Sequence, residues 1–225
     1  SEPFANVFFV TGTATPTFMG QQWQYSRNMC VLRHDGELTI INSVRLDDAG
    51  LSSLEALGNV KRVMKLGAFH GMDDAFYVDR YSASLCTPPM MSHDSGKTTD
   101  VELHPGPLPF LPHASLFCFE TTKVPEGVIH LAQDDGILIS CDSLQNWVRP
   151  DRFFDEVSAT KMAEFGFIRP ANIGPGWRRA AEPRLEDFTR LMTLDFRHLV
   201  PAHGEILRDS AHEAFRKTIS EAFSD

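Results

Sequence analysis

Four side chains of metal-binding types stand where apolar segments of the sequence end. His70 and His203 each precede a glycine at the end of an apolar run, and Asp142 follows a third such run. Asp74 lies four residues beyond His70, so a helix beginning there would place both side chains on one side. Imidazole and carboxylate groups bind zinc, iron or manganese, and such an ion lowers the pKa of a bound water towards neutrality. We therefore expect these four residues to bind one divalent metal ion, with His70 and Asp74 as the catalytic residues.

Each of these residues also has a purely structural interpretation. The two histidines could be hydrogen-bonded side chains at strand ends. Asp142 could bond its own backbone in a turn, and Asp74 could help Asp73 to cap a helix. The other seven histidines have no supporting spacing, although His93 and His104 lie in a proline-rich segment from which they could reach the same crevice.

The candidate ligands belong to a pattern that the chain uses twice. Segments beginning at Asp35-Gly36 and Asp135-Gly136 share the pattern Asp-Gly-x-Leu, followed by an Asn-Ser or Asp-Ser pair. Asp-Gly favours the two-residue turn of a β-hairpin, and apolar runs flank both copies. Each hairpin is followed by at least one amphipathic helix and by an apolar strand that ends in His-Gly. Two similar halves predict one α/β domain over residues 1–225, a four-layer αββα sandwich whose strand ends share a crevice.

Periodicity places the other elements. Leu51, Leu54 and Leu57 lie on one face of a helix, and residues 62–69 form the apolar strand that leads to His70. Two segments rich in proline or glycine, residues 88–112 and 170–176, are predicted to be loops, the first of them a candidate lid or substrate rim. Further helices are predicted near residues 73–84, 154–165, 185–192 and 211–223, and further strands near 83–87, 101–103, 115–121 and 198–202.

Composition narrows the class of function. A content of 42% hydrophobic and 23% charged residues is typical of a soluble globular protein. The 21 basic residues against 30 acidic ones give a net charge of −9, which argues against nucleic acid or a membrane as a partner. No apolar run approaches the roughly 18 residues of a membrane-spanning helix. The four cysteines stand singly in apolar runs, so we expect them to be reduced and buried and the protein to be cytoplasmic.

At these residues the chain resembles the metallo-β-lactamase superfamily, and the resemblance extends over nearly its whole length. Asn42 and Ser43 fall where that family has Asp-Thr-Gly. Residues 141–144, Cys-Asp-Ser-Leu, resemble its Gly-Asp-x-Leu segment, and residues 200–204, Val-Pro-Ala-His-Gly, resemble its last metal-binding motif. The resemblance implies the αββα fold and a metal centre at the shared crevice.

The first metal-binding motif of that family, His-x-His-x-Asp-His, is incomplete in this chain. With His70 on its first histidine, Met72 stands on the second, Asp74 on the aspartate and Ala75 on the last histidine. The residues ahead of Val128 also offer no counterpart of the family's third histidine. Three of five histidine ligands are therefore absent, which implies a divergent member that lacks the usual two-zinc centre.

Two hypotheses for function follow. In the first, one zinc, iron or manganese ion activates a water for attack on a carbonyl or phosphoryl centre of a small-molecule substrate, and Asp74 accepts a proton from that water. In the second, which the missing histidines favour, the protein is catalytically silent and binds a small molecule or a protein partner through the same crevice. An iron site with two histidines and a carboxylate, acting in redox chemistry, is a third alternative.

Overall fold

The secondary structure is that of a mixed α/β chain in the computed structural model, which describes residues 1–18, 20–93 and 95–224. None of the helices in these ranges is long and apolar enough to cross a membrane. The helices are α1 (Asp48–Leu57), α2 (Asp74–Tyr81), α3 (Glu156–Glu164), α4 (Pro175–Ala181), α5 (Leu185–Leu191) and α6 (Ala211–Ala222). The strands are β1 (Val7–Ala14), β2 (Thr17–Phe18), β3 (Gln21–Gln22), β4 (Tyr25–His34), β5 (Glu37–Ile41), β6 (Asn59–Met64), β7 (Ser84–Thr87), β8 (Val101–Glu102), β9 (Gly106–Pro107), β10 (Ala114–Cys118), β11 (Gly127–Leu131), β12 (Ile137–Ser140), β13 (Leu144–Gln145), β14 (Asn172–Ile173) and β15 (His198–Pro201).

The two predicted hairpins organise the two larger sheets. The first sheet has the strand order β1-β4-β5-β6-β7-β8, and the second has the order β15-β12-β11-β10-β9. In the first, β4 and β5 pair antiparallel and β5 then pairs parallel with β6. In the second, β11 and β12 pair antiparallel and β12 then pairs parallel with β15. The same hairpin followed by a parallel strand in both sheets confirms the predicted pair of similar halves.

Three hydrophobic clusters show how the layers stack. One cluster joins the facing sides of the two sheets and includes Met64 of β6 and Ile139 of β12. A second packs α1 and α2 on the outer face of the first sheet, and Tyr77 is fully buried there. The third packs α4, α5 and α6 on the outer face of the second sheet around Phe188 and Phe215. Because each buried large side chain contributes roughly 1.5–3 kcal/mol, these clusters stabilise the predicted αββα sandwich.

Four local expectations differ from the structure. Strand β6 ends at Met64, so the stretch before His70 is not the strand that its apolar character predicts. Helix α4 begins at Pro175 inside a predicted loop, because proline is well suited to the first turn of a helix. The helix predicted near residues 154–165 is shorter, since α3 spans Glu156–Glu164, and its Val157 is exposed. Residues 88–112, with position 94 outside the described part, carry β8, β9 and several core leucines and are thus partly structural.

Candidate metal centre

His70 is presented by a short loop between β6 and α2. After β6 the chain is tied to the second half, since Gly127 N donates to Leu66 O at 2.8 Å and Gly67 forms a bridge with Glu126. The loop then turns, with His70 N donating to Gly67 O at 3.2 Å. The His70 imidazole therefore projects from a segment held by main-chain bonds between the two halves.

Asp142 and His203 follow neighbouring parallel strands of the second sheet. Ser140 at the end of β12 pairs with Pro201 at the end of β15, which brings the two side chains to the same edge. The amide of Asn28 on β4 donates to Pro201 O at 3.0 Å and to Gly204 O at 2.8 Å, on either side of His203. The first sheet thus holds the loop of the second sheet that carries this histidine.

Three of the four predicted ligands converge on one point. His70 Nε2 lies 3.0 Å from His203 Nε2, and His203 Nε2 lies 3.1 Å from Asp142 Oδ1. His70 Nε2 lies 3.4 Å from Asp142 Oδ2. A tetrahedral zinc ion with bonds of about 2.0–2.1 Å holds its ligand atoms about 3.3 Å apart. The separations and the two-nitrogen, one-oxygen donor set therefore fit one small divalent ion.

The protonation states in this group suit metal binding. Burial raises the pKa of the Asp142 carboxyl, but the charge of His70 and hydrogen bonds with His203 and His70 outweigh it and lower that pKa well below its ordinary value. Burial lowers the pKa of His203, although Asp142 acts in the opposite direction. At neutral pH the site therefore offers an ionised carboxylate and a neutral imidazole, the forms that bind metals.

Asp74 lies outside this group of three. Helix α2 begins at Asp74 itself, so His70 precedes the helix and the four-residue spacing does not place both on one helical face. Its Oδ1 accepts a hydrogen bond from Ser43 Oγ at 2.5 Å, and its Oδ2 has no hydrogen-bond partner in the described ranges. Burial raises the pKa of this carboxyl, against the charges of Lys65 and His70. Its roles as ligand and base stay predictions.

The side chain of Asp73, the residue before Asp74, does not cap helix α2 as the capping interpretation predicts. Asp73 forms an ion pair with Arg27 and accepts a hydrogen bond from Arg45 N at 2.8 Å. It therefore links the start of α2 to the first sheet and to the loop after β5.

Glu126 is a residue at this site that the sequence did not reveal. The carboxyl is completely buried, and its Oε1 accepts a hydrogen bond of 2.5 Å from Ser143 N, the residue after Asp142. Burial and the nearby charge of Asp142 raise the pKa of Glu126 well above its ordinary value. Oxygen and sulfur atoms of Glu126, Cys141 and Asp142 lie within 4.8 Å of one another. No spacing or motif around Pro125-Glu126-Gly127 announces this contact, which depends on the pairing of the two halves.

Asn42, the remaining polar strand end, acts as a link between the sheets. Its side-chain amide donates to Ser140 O at 2.9 Å, across the interface and just before Asp142. Its backbone has a φ of 54°, in the left-handed region that asparagine tolerates better than most residues. Of the two histidines of the proline-rich segment, His93 has its Nε2 2.9 Å from Thr99 Oγ1 and its charge acts on the Asp74 carboxyl, whereas His104 is exposed beside Glu102.

A cavity of about 590 Å³ opens beside Asp142 and His203. Its size falls within the range of small-molecule sites, and its walls are mostly apolar and aromatic. Trp147 is one of the aromatic residues that line it, with its ring 4.8 Å from that of His203. The described lining comprises Pro16, Trp23, Tyr25, Asp142, Gln145, Trp147, Met162, Phe165, Phe167, Pro175, Gly176, Arg179, Ala180 and His203.

No protein-family model matches the sequence, and no curated protein matches it significantly. Solved structures do match over nearly the full length. A metallo-β-lactamase from Pontibacter korlensis has a TM-score of 0.64 at 13% identity, covering 98% of this chain and 97% of that one. VMB-1 has a TM-score of 0.67 at 12% identity, covering 100% and 97%. The mono-zinc form of the metallo-β-lactamase FIM-1 from Pseudomonas aeruginosa has a TM-score of 0.60 at 10% identity, covering 96% and 92%.

These similarities agree with the paired hairpins, the two facing sheets and the crevice at the strand ends. The sequence-based resemblance is thereby confirmed at the level of architecture. The chain has the metallo-β-lactamase fold.

Proposed function

We propose that this protein is a metal-dependent hydrolase that uses a single divalent ion. The observation that carries the proposal is the convergence of His70 Nε2, His203 Nε2 and the Asp142 carboxylate from two halves of the chain. The burial of His203, the half-buried positions of His70 and Asp142, and the lowered pKa values of Asp142 and His203 support it. The mono-zinc form of FIM-1, a structure with the same fold, is consistent with one ion at such a crevice.

The residues have separate roles in this proposal. His70, Asp142 and His203 hold the ion, and Asp74 is the candidate fourth ligand or proton acceptor. A bound ion of this kind lowers the pKa of water and polarises a carbonyl or phosphoryl oxygen. The cavity walls, including Trp147, exclude bulk water from the reacting end of the substrate, which strengthens electrostatic interactions there.

A second candidate function is binding without catalysis. It is favoured by the contacts of the three side chains with one another, since hydrogen bonds among them already satisfy the buried polar atoms that face the shared point. Met72, which stands in the place of the family's second histidine, is 60% exposed and offers no ligand. In that case the cavity would bind a small molecule and leave it unchanged.

Metal analysis of protein purified without chelator or affinity-tag nickel separates these functions. The hydrolase proposal predicts about one equivalent of zinc, iron or manganese, and the metal found would also decide for or against an iron redox centre. After chelator treatment, calorimetric titration with zinc should show one site. His203→Ala should weaken that site at least about 100-fold because it removes one of three donors. His104→Ala, an exposed histidine outside the site, should leave zinc affinity unchanged.

The outcomes are distinguishable. Protein without stoichiometric metal, together with unchanged zinc titration in His203→Ala, would refute the hydrolase proposal. A bound ion without turnover of thioester, lactone, lactam or phosphodiester substrates would support the silent binding protein instead. Metal-dependent turnover that is lost in His203→Ala and retained in His104→Ala would support the hydrolase.

A further inference from the structure

One buried side-chain amide at the cavity makes no hydrogen bond. Gln145 lines the cavity and is only 2% exposed. Its Oε1 is buried without a hydrogen-bond partner, and its Nε2 donates to none of the residues that the structure describes. A carboxamide carries two donor hydrogens and an acceptor oxygen, so both functions of this group are unused. Such groups are rare in protein interiors, because nothing compensates for their lost hydration.

The other buried amides in the described part of the chain all have partners. Asn146, directly after Gln145, uses both ends of its amide: Nδ2 donates to Glu205 O and Oδ1 accepts from Ala171 N, each at 2.9 Å. The four buried asparagines each donate at least one side-chain hydrogen bond: Asn28, Asn42, Asn146 and Asn172. Gln145 is therefore the exception among them, and its place in a cavity wall indicates a partner outside the chain.

The unpaired amide lies close to the candidate metal centre. Gln145 stands three residues after Asp142, in β13, where it pairs with Asn172 of β14. A Cβ at Gly174 would lie 2.0 Å from Asp142 O and 2.7 Å from Gln145 Nε2, so the amide and the Asp142 main chain meet beside this glycine. The amide is thus at the end of the cavity that adjoins Asp142.

The rest of the lining describes the body of the ligand. Methionine, alanine and two prolines supply apolar surface, and five aromatic side chains supply rings: Trp23, Tyr25, Trp147, Phe165 and Phe167. The rings of Trp147 and Phe167 lie edge to face at 6.3 Å. Such walls favour a flat ring system, since aromatic surfaces gain from stacked or edge-to-face contact beyond simple burial.

We propose that the cavity binds a flat nitrogen heterocycle whose edge carries an N–H donor beside a carbonyl acceptor, paired with the side-chain amide of Gln145. Such an edge matches the acceptor and donor of a carboxamide, in the way that glutamine binds the donor and acceptor of adenine through two hydrogen bonds. The amide can rotate by half a turn, so it accepts the donor and the acceptor in either order. The faces of the ring lie against the aromatic walls.

The inference rests on the proposed function only for the reaction. In the hydrolase, the heterocycle is the part of the substrate that is held, and the scissile carbonyl or phosphoryl group is a substituent on it that faces Asp142 and His203. Binding of the heterocycle itself depends on Gln145 and the aromatic walls and requires no metal.

The test is isothermal titration of chelator-treated protein with two isomers, 4-methyl-2-quinolone and 1-methyl-2-quinolone. The isomers share their size and ring system, but methylation of the nitrogen removes the N–H donor. The 4-methyl isomer should bind saturably at one site and about tenfold more tightly than the 1-methyl isomer, because only it can donate to Gln145. Quenching of tryptophan fluorescence provides an independent readout, since Trp23 and Trp147 line the cavity.

Gln145→Met removes the donor and the acceptor but keeps the length of the side chain. It should weaken binding of the 4-methyl isomer about tenfold and abolish the preference between the isomers. Its thermal midpoint should not fall, because an apolar group replaces an unpaired buried amide. Gln133→Met is the matched control, since it makes the same replacement at a residue that does not line the cavity and should leave binding unchanged.

Three binding results would each overturn the proposal: no saturable binding of the 4-methyl isomer, equal affinity for the two isomers, or an equal effect of Gln145→Met on both. A thermal midpoint of Gln145→Met well below that of the wild type would assign the amide to the fold and overturn it as well. Titration of zinc-loaded protein keeps the two proposals separate. Failure to bind zinc with a retained, Gln145-dependent preference would refute the hydrolase alone, whereas zinc binding with equal affinity for the isomers would refute this inference alone.

Discussion

Replacing Glu126 by glutamine or by alanine tests how the buried carboxyl supports the candidate metal centre. Its Oε1 accepts the hydrogen bond from Ser143 N at 2.5 Å, directly after Asp142. Glutamine has nearly the same shape and keeps an oxygen for this bond, whereas alanine removes it and leaves unfilled space. The two variants therefore separate the acceptor from the ionisable group.

The expected magnitudes follow from burial. Alanine leaves the Ser143 N–H without a partner, and together with the cavity this should cost about 3–5 kcal/mol of unfolding free energy. Glutamine should change it by less than about 1 kcal/mol at pH 5, where the buried carboxyl is neutral. The pKa of Glu126 is raised in the folded state, so its contribution is fully present below the unfolded pKa of about 4.3 and declines as pH rises towards the folded pKa. That decline is at most about 1.4 kcal/mol per pH unit.

Urea denaturation of the wild type and both variants at pH 5, 6.5 and 8 is the assay. The stability of Glu126→Gln relative to the wild type should increase with pH, because glutamine carries no proton to lose. Glu126→Ala should be the least stable at pH 5. Equal losses for glutamine and alanine, or a difference between glutamine and wild type that does not change with pH, would refute the argument that a neutral carboxyl is required.

Two further predictions concern stability at residues that are not candidate ligands. Asp187 accepts hydrogen bonds from Glu120 N, Thr121 N, Thr121 Oγ1 and Arg190. Changing Asp187 to asparagine should lower the free energy of unfolding by about 2–3 kcal/mol, because one backbone N–H loses its acceptor. Burial raises the pKa of Asp187, but the hydrogen bonds from Thr121, Glu120 and Arg190 outweigh it and lower that pKa. The contribution of Asp187 to stability is therefore present above the unfolded pKa of about 3.9 and is lost at lower pH. The difference in urea midpoint between the wild type and the variant should shrink between pH 5 and 2, and a constant difference would contradict this. Gly204→Ala should lower the free energy of unfolding by more than about 3 kcal/mol, because at a φ of 93° a Cβ would lie 2.2 Å from Asn146 C and O. Gly36→Ala, at a φ of 75° with open space around it, should lower it by about 1–2 kcal/mol. Similar thermal midpoints for the two variants would refute the role of the close approach at Gly204.

Local sequence signals predicted the elements that local physics controls. Asp35-Gly36 forms the predicted two-residue turn of the first hairpin, whereas in the second hairpin Asp135-Gly136 ends a five-residue loop, residues 132–136. Gly36 and Gly136 both have positive φ, and α6 spans the predicted closing helix. Asp142 and His203 are identifiable from the sequence because polar residues that follow neighbouring apolar strands of an α/β fold meet at one edge. His70 instead reaches the site from a loop six residues after β6 ends. Those signals depend on residues close together in the chain.

The features that sequence reasoning missed depend on distant contacts or on ambiguous residues. Glu126 accepts the hydrogen bond from Ser143 only because β11, which follows it, lies beside β12. Glu126 also forms a β-bridge with Gly67 of the other half. Pro175 and Gly176 suggest a loop by composition, yet proline is equally suited to a first helical turn, so α4 and its Arg179 were not expected. The four-residue spacing places Asp74 beside His70 only if both residues lie in one helix, and only Asp74 does.

The origin of the three converging donors has a consequence for assembly. One donor comes from the first hairpin unit and two come from the second, so neither unit alone could retain an ion with all three. If the proposed ion binds there, its affinity would depend on how accurately the two units pack together, because a shift of even about 1 Å between the sheets would exceed the tolerance of coordination bonds. Titration with zinc would thus measure how well the two halves of the chain pack against each other.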